Sequence, residues 1–348
     1  MNASSGAARA VVALLYAVAA ACAEGEEPVR VTGSSTVFPF SRTVAEHYAA
    51  KFAAASPIIE ATGTGGGVQR FCDSRGAIHA VNASRRMKPS EAALCATNGI
   101  AAPLEVRIGY DGIVLASGRG GALTALTAEQ LYRAVAKDLP GAAGFAPNPH
   151  QTWADVDPAL PDIAIDVHGP PPTSGTRDAF AELGLERGAK AIPALADLAK
   201  SDPDAFTARA HALREDGRWV DEGENDNAII QLIRVSPGIV GVFGYSFYEQ
   251  NRTLLEPVTI DGAEPNLASI ASGDYPLSRS LYFYVNAEAP TAATAAYVLE
   301  FTSEAAFGPF GYLIDKGLIP LSDAERREER AKAEALAARA ATVAGGAR

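Results

Sequence analysis

An α/β fold of two lobes with mostly parallel sheets is predicted by three features of the sequence. Apolar runs suited to strands alternate with helical periodicities through most of the length. One local unit recurs: a short apolar run, a turn of Ser, Thr and Gly, then a helix start, at 33–36, 62–67, 82–85 and 174–176. Two largely apolar strands, 108–116 and 239–245, bracket the middle third and suit crossovers between two lobes. The 348 residues, 48% hydrophobic and 20% charged, are enough for two domains.

The N-terminus reads as an export signal. Arg9 precedes the apolar stretch Ala10–Ala21, and Ala21-Cys22-Ala23 is a small-x-small cleavage site followed by Glu24, Glu26 and Glu27. Residues 1–23 are therefore assigned to a signal peptide. Cys22 also permits a lipidated N-terminus, although Ala19 stands where that signal usually has Leu or Val. Cys72 and Cys95 remain in the mature chain, and an oxidising compartment predicts a disulfide between them. A formal net charge of −11 argues against nucleic acid or an anionic membrane as the main partner. It leaves room for a small anion, because a local field needs only a few N–H groups and arginines.

Val29-Arg30-Val31 is the first strand, and Phe40, Val44, Tyr48 and Phe52 mark the helix after Gly33-Ser34-Ser35-Thr36. Ile58-Ile59 leads into Thr62-Gly63-Thr64-Gly65-Gly66-Gly67. Ile78–Val81 leads into Asn82-Ala83-Ser84-Arg85, with Pro89 placed to open the next helix. Thr127-Ala128-Glu129-Gln130 is a capping box. Residues 138–161 read as a surface loop anchored by Trp153. Ile163, Ile165 and Val167 alternate as a strand before His168-Gly169-Pro170-Pro171-Pro172-Thr173-Ser174-Gly175-Thr176-Arg177. Residues 182–217 are mostly helical, and an acidic turn, 222–227, faces Ile229, Ile230, Leu232 and Ile233. Pro237-Gly238 is a turn, 281–285 is a strand, and the tail from Ser322 reads as a solvated helix or a frayed end.

The recurring turns carry the chemistry. Ser34, Ser35, Thr36, Thr64, Ser84, Ser174 and Thr176 offer hydroxyls, and the helix starts offer N–H groups at the positive end of a dipole. Arg85 and Arg177 offer forks that match tetrahedral oxyanions. In α/β sheets such turns lie at the carboxyl ends of strands, where these folds bind ligands. Enzyme motifs are missing: no Gly-Lys-Ser/Thr follows the glycine turns, no Gly-x-Ser-x-Gly occurs, and the five histidines lack metal spacing. No cofactor or metal is expected.

Seven motifs, in order, resemble the phosphate-binding proteins of high-affinity phosphate ABC transporters, the PstS family. They are Gly33-Ser34-Ser35-Thr36-Val37-Phe38-Pro39, Gly63–Gly67, Asn82–Arg85, Gly109–Val114, Gly169–Phe180, Gly244-Tyr245-Ser246-Phe247 and Tyr275-Pro276-Leu277-Ser278-Arg279. The resemblance implies a type II periplasmic binding protein with a cleft at a two-strand hinge. The implied lobes are 29–114 with 246–321, and 115–245, leaving 322–348 as a charged tail. It implies that a monomer captures phosphate by lobe closure and passes it to a membrane permease, without catalysis. By motif position it assigns phosphate contacts to Ser35, Thr36, the Val37 N–H, Thr64, Ser174, Gly175 and Thr176. Ser84, Arg85 and Arg177 join them as candidate contacts.

Two departures stand out. Some members carry Asp just after the third-turn serine, where this chain has Arg85, and a binding Arg four residues before Ser174, where it has Pro170. Arg85 and Arg177 are then candidate replacements for the cation. Asp226, Glu224, Asp111 and Asp178, in that order, are candidate acceptors for the proton of hydrogen phosphate. Alternative readings are a binding protein for sulfate, molybdate or a phosphonate, and a secreted phosphatase on the same fold.

Overall fold

The computed structural model describes residues 27–73, 76–141, 144–223, 226–236 and 238–346. The expected signal peptide, Cys22, Glu224 and Pro237 lie outside the described residues. The described residues form two compact units, one within 27–110 and 280–346 and the other within 111–279.

Unit 1 begins β1 (Arg30–Gly33), α1 (Phe38–Phe52), β2 (Ile58–Ala61), α2 (Thr64–Asp73), β3 (Ala80–Ala83), α3 (Pro89–Thr97) and the first half of β4 (Pro103–Gly118). In unit 2 follow β5 (Ala125–Leu126), α4 (Ala128–Val135), the hairpin β6 (Asp138–Gly141) and β7 (Gly144–Pro147), and β8 (Val167–Gly169). A helical run comes next: α5 (Gly175–Ala179), a π turn (Phe180–Leu185) and α6 (Glu186–Lys190). After it come α7 (Pro193–Ser201), α8 (Pro203–Ala210), β9 (Trp219–Asp221), α9 (Asn227–Val235), β10 (Val240–Gly244), α10 (Tyr245–Asn251), β11 (Leu255–Pro257) and β12 (Thr259–Ile260). β13 (Ser278–Asn286) returns the chain to unit 1, which ends with α11 (Ala292–Phe301) and α12 (Asp323–Gly346).

In unit 1 the strand order is β2-β1-β3-β13. β1 runs parallel to β2 and β3, and β13 is antiparallel to β3. Because β1, β2 and β3 are parallel, their carboxyl ends share one edge, and all three recurring turns of this unit leave from it. One core lies among α2, α3 and β3, with Val68, Phe71, Val81, Ile100 and Tyr282 buried around the expected Cys72–Cys95 disulfide. The bridge ties α2 to α3 and contributes about 3 kcal/mol by restricting the unfolded chain.

The tail is not a frayed end. α12 buries Ala333, Leu336, Ala337 and Ala340 at helical spacing, and it packs on α11, which is apolar nearly all round. Small residues let the two helices approach closely, so the compositional signal of a solvated segment misleads. Arg326 is buried with Glu304 and Asp323 as partners, and Arg330 Nη1 donates to the Leu299 carbonyl at 2.6 Å.

In unit 2 the order is β4-β10-β8-β9, with β11 also on β4. β10 is antiparallel to β4 and parallel to β8, which is parallel to β9. The first expected crossover, within 108–116, is where the chain passes from Tyr110 to Asp111. The second is displaced. Residues 239–245 form β10 inside unit 2, paired on both edges, and the return comes at Arg279–Ser280 within β13. Residues 246–279 therefore belong to unit 2. β11 pairs with β4 at 116–118, β12 pairs with β5, and Tyr275 donates its hydroxyl to the Ile113 carbonyl at 2.8 Å. Residues 138–161 also hold more structure than a loop, namely the β6–β7 hairpin and a helical turn with Trp153 fully buried.

Candidate functional site

At the carboxyl edge of unit 1 the three turns touch one another. Gly33 ends β1 at φ 131°, and a Cβ there would stand 2.1 Å from the Asn82 carbonyl oxygen, so only glycine fits. Ser34 N–H donates to that carbonyl at 3.0 Å, and Val37 N–H reaches Ser34 Oγ at 3.4 Å just before α1 begins. Thr62 N–H donates to the Gly33 carbonyl at 2.8 Å, and the Thr32 and Thr62 hydroxyls lie 2.8 Å apart. Thr64 Oγ1 accepts the Ser84 N–H at 3.1 Å and lies 3.1 Å from Ser84 Oγ. Ser35 and Thr36 occupy the turn between β1 and α1. The predicted unit 1 residues are thus brought to one edge, with Thr64 and Ser84 in direct contact.

Arg85 takes a different place from the one its sequence position suggests. Its Nη1 and Nη2 donate to the two Glu91 oxygens at 2.9 and 2.7 Å, and Nη1 also reaches the Arg86 carbonyl at 3.0 Å. Glu91 accepts the Lys88 N–H as well, at 2.7 Å, so it closes the first turn of α3 and holds Arg85 together. Burial would raise the Glu91 carboxyl. The Arg85 and Lys88 hydrogen bonds and charges outweigh it and hold that carboxyl below the usual range.

In unit 2, β8, β9 and β10 are parallel and end at Gly169, Asp221 and Gly244, so their exits also share one edge. Ser174 caps the helical run: its Oγ accepts the Thr176 N–H at 3.2 Å, and its carbonyl accepts the Asp178 N–H at 3.1 Å. Gly175 and Thr176 are the first helical residues. Arg177 is braced three ways. Nη1 donates to Asp221 Oδ1 at 2.5 Å and to the Pro170 carbonyl at 3.1 Å, and the guanidinium carbon lies 4.7 Å from the Trp219 ring centre. Trp219 stacks on Phe180 at 5.4 Å and donates Nε1 to Asp221 Oδ1 at 2.7 Å. Gly169 makes room for that indole, since a Cβ would fall 2.3 Å from it. Pro170, which stands where the family's arginine is expected, thus supplies an acceptor for Arg177. Beside the turn, both ring nitrogens of His168 face carboxylates, Glu222 at 2.8 Å and Asp166 at 2.9 Å.

The proposed proton acceptors separate. Asp226 sits at the start of α9, five residues after Asp221 ends β9, and Asp178 lies in the first turn of α5. Asp111 is engaged elsewhere. It pairs with Arg279 at 3.3 Å, and Arg279 also pairs with Glu182. Burial pushes the Asp111 carboxyl up against the pull of that arginine.

Sequence reasoning quoted Gly244-Tyr245-Ser246-Phe247 as a motif but assigned no site role to that strand–helix junction, and it missed Glu91 and Asp221. Gly244 borders Thr176, whose Oγ1 lies 3.9 Å from the place of a Cβ at 244. Its signal was available, a glycine and a serine at a strand–helix junction. Among the described residues, no group of three His, Cys, Asp or Glu is placed to hold a metal. No helix among them is long and apolar enough to cross a membrane.

Comparisons with known proteins agree with this arrangement of strands and turns. A family model described as a PBP superfamily domain matches residues 18–305. The chain is similar to the phosphate-binding protein PstS of Staphylococcus saprophyticus, 30% identical over 272 residues, covering 76% of this chain and 71% of that one. It is also similar to the protein SphX of Synechococcus elongatus, 27% identical over 298 residues, covering 84% and 77%. Among solved structures, a possible phosphate binding protein from Planctomyces limnophilus superposes with a TM-score of 0.72 at 26% identity, covering 89% of this chain and 99% of its own. An ABC-type phosphate transport receptor from Vibrio cholerae shares the fold, with a TM-score of 0.56 at 18% identity, covering 84% and 100%. The chain belongs to the PBP superfamily and, within it, to the PstS family.

Proposed function

We propose that this protein is exported, binds inorganic phosphate and delivers it to the permease of an ABC transporter, without catalysing a reaction. The observation that carries the reading is the convergence of hydroxyl-bearing turns and helix starts on the carboxyl edge of each unit's parallel strands, as in the Thr64–Ser84 contact. Such edges supply neutral N–H and O–H donors to an oxyanion, and each donor left unpaired by a poorer ligand would cost binding energy. The names of the relatives point to the same ligand.

In this reading Ser35, Thr36, the Val37 N–H, Thr64 and Ser84 contribute from unit 1. Ser174, Gly175 and Thr176 contribute from unit 2. Arg85 and Arg177 act from within pairs with Glu91 and Asp221, which spreads their charge and fixes their forks. Asp226 is the acceptor of the phosphate proton. Replacing it with Asn loosens discrimination against sulfate in competition binding; unchanged discrimination removes Asp226 from the site.

Isothermal titration of the mature chain with phosphate, sulfate and molybdate tests the whole reading. Phosphate binding with a stoichiometry near one supports it, and no phosphate binding overturns it. Arg85, standing where some family members carry a carboxylate, favours one second reading, a site that also admits sulfate, and the same titration decides it. A phosphate-monoester turnover assay checks the absence of catalysis.

A further inference from the structure

Asn82 has a side chain that neither the core nor the turn contacts account for. It lies at the end of β3, opposite Gly33 on β1 and Phe283 on β13, and is 0% exposed. Its carbonyl takes the Ser34 N–H, so its backbone supports the first anion turn directly. Its Oδ1 is pinned by Ser41 Oγ at 2.6 Å, in the first turn of α1, and the Ser41 carbonyl accepts the Tyr297 hydroxyl at 2.8 Å. Its Nδ2 is buried and has no hydrogen-bond partner among the described residues. A buried amide N–H without an acceptor is costly, and an apolar residue would avoid that cost. The Ser41–Tyr297 anchoring also removes the freedom of the amide to turn away.

From this geometry we infer that Asn82 is a donor and positioning residue of the unit 1 anion site, its Nδ2–H reserved for the bound oxyanion or for a water held on it. The inference rests on the phosphate reading above. Ser41, which holds Oδ1, lies in the first turn of the 15-residue helix α1, and Ser34 N–H, just before that helix, donates to the Asn82 carbonyl, so Asn82 is tied to the start of α1 through both its side chain and its backbone. A neutral donor there adds a hydrogen bond without adding charge. Oδ1 stays with Ser41, and the two ends of one amide thus link the helix start to the ligand.

The near-isosteric variant Asn82→Asp tests this. It keeps an acceptor for Ser41 but turns the donor into a second acceptor facing the anion. Phosphate affinity, measured by isothermal titration, falls about 10- to 100-fold at pH 8. The ratio of parent to variant affinity shrinks at least about tenfold between pH 8 and pH 5, as the introduced carboxyl takes up a proton and donates again. A merely structural role would lower the variant's stability in step with its affinity, so urea unfolding of parent and variant at both pH values separates the two. Equal parent and variant affinities, or a deficit independent of pH, overturn the inference while leaving the phosphate reading intact. A parent that does not bind phosphate overturns both. If the variant does not fold, the parent carries the test. With phosphate bound, the Asn82 Nδ2 protons, assigned through bonds in labelled protein, shift downfield and exchange at least about tenfold more slowly. Unchanged shift and exchange overturn the inference.

Discussion

In unit 1 the hydroxyls of neighbouring turns bond to one another, Thr64 to Ser84 and Thr32 to Thr62, whereas in unit 2 Ser174 caps its own helix and the bracing falls to side chains around Arg177. The arginines differ in the same way. Arg85 is held by a carboxylate six residues along the chain, and Arg177 by Asp221, the Pro170 carbonyl and an indole from distant strands. Unit 1 is therefore a cooperative lattice of short hydroxyl contacts fixed by backbone register. Unit 2 is a single capped helix start whose cation is oriented by tertiary packing. Both of these arginines are thus held by a carboxylate. A protein of net charge −11 can thus offer an anion oriented neutral donors without a broad positive field.

The largest expected effect tests whether register alone holds the unit 1 lattice. Gly33→Ala drives a methyl into the Asn82 carbonyl and should lower the unfolding free energy by about 3 kcal/mol in urea titrations. Phosphate binding should be lost as well. A stable Gly33→Ala protein that binds normally would show that the turn tolerates a shift.

Reducing the disulfide sharpens the contrast, because unit 2 contains no cysteine. The Cys72→Ser, Cys95→Ser double variant should lose about 3 kcal/mol. Hydrogen exchange should accelerate in α2 and α3 but not around β8 and α5. Equal acceleration in both regions would mean that the two units unfold as one.

A paired substitution reads the two kinds of turn side by side. Thr64→Val removes the hydroxyl that accepts from Ser84, and Ser174→Ala removes a helix cap; each should cost about 1 kcal/mol of stability. Melting temperatures of the two variants give the comparison. If Ser84→Ala is added to Thr64→Val, the losses should fall short of additive, because the two residues share one contact. Additive losses would break the lattice description.

The smallest effect is a pH dependence. Glu91 has a depressed folded pKa, so its pair with Arg85 stabilises above the unfolded value near 4.5 and fades as pH falls through the lower folded value. The stability difference between the parent and Glu91→Gln, from urea unfolding, should therefore be present at pH 6 and vanish toward pH 3. A difference that persisted at pH 3 would assign the effect to packing rather than charge.

Much of this molecule could be read from the chain. The turns at 33–36, 62–67, 82–85 and 174–176 were legible because each is local: glycine, hydroxyl and helix start lie within a few residues, and short-range sterics decide them. The disulfide was legible from cysteine number and the expected export signal. What failed was long-range. The apolar, glycine-interrupted stretch 239–245 looks the same whether it crosses between units or lies in the middle of a sheet. Only pairing with β4 and β8 distinguishes the two. The tail looked solvated because its buried stripe is mostly alanine, which carries little hydropathy yet packs closely on α11.

The partners of the charged residues were the least legible. Arg177 stands in the short helix opened by Ser174, where a cation is unfavourable for the helix dipole. Its three contacts come from residues 170, 219 and 221, brought together by parallel pairing of β8 and β9. The sequence by itself determined the glycine and hydroxyl turns, the α/β alternation and the family. Only tertiary structure decided which carboxylate holds each arginine, which strand returns to unit 1, and that Asn82, tied to the first turn, keeps a buried donor. The physical reason is range: caps and glycine turns are settled within one turn of chain, while ion pairs and strand order are settled by which distant segments share an edge.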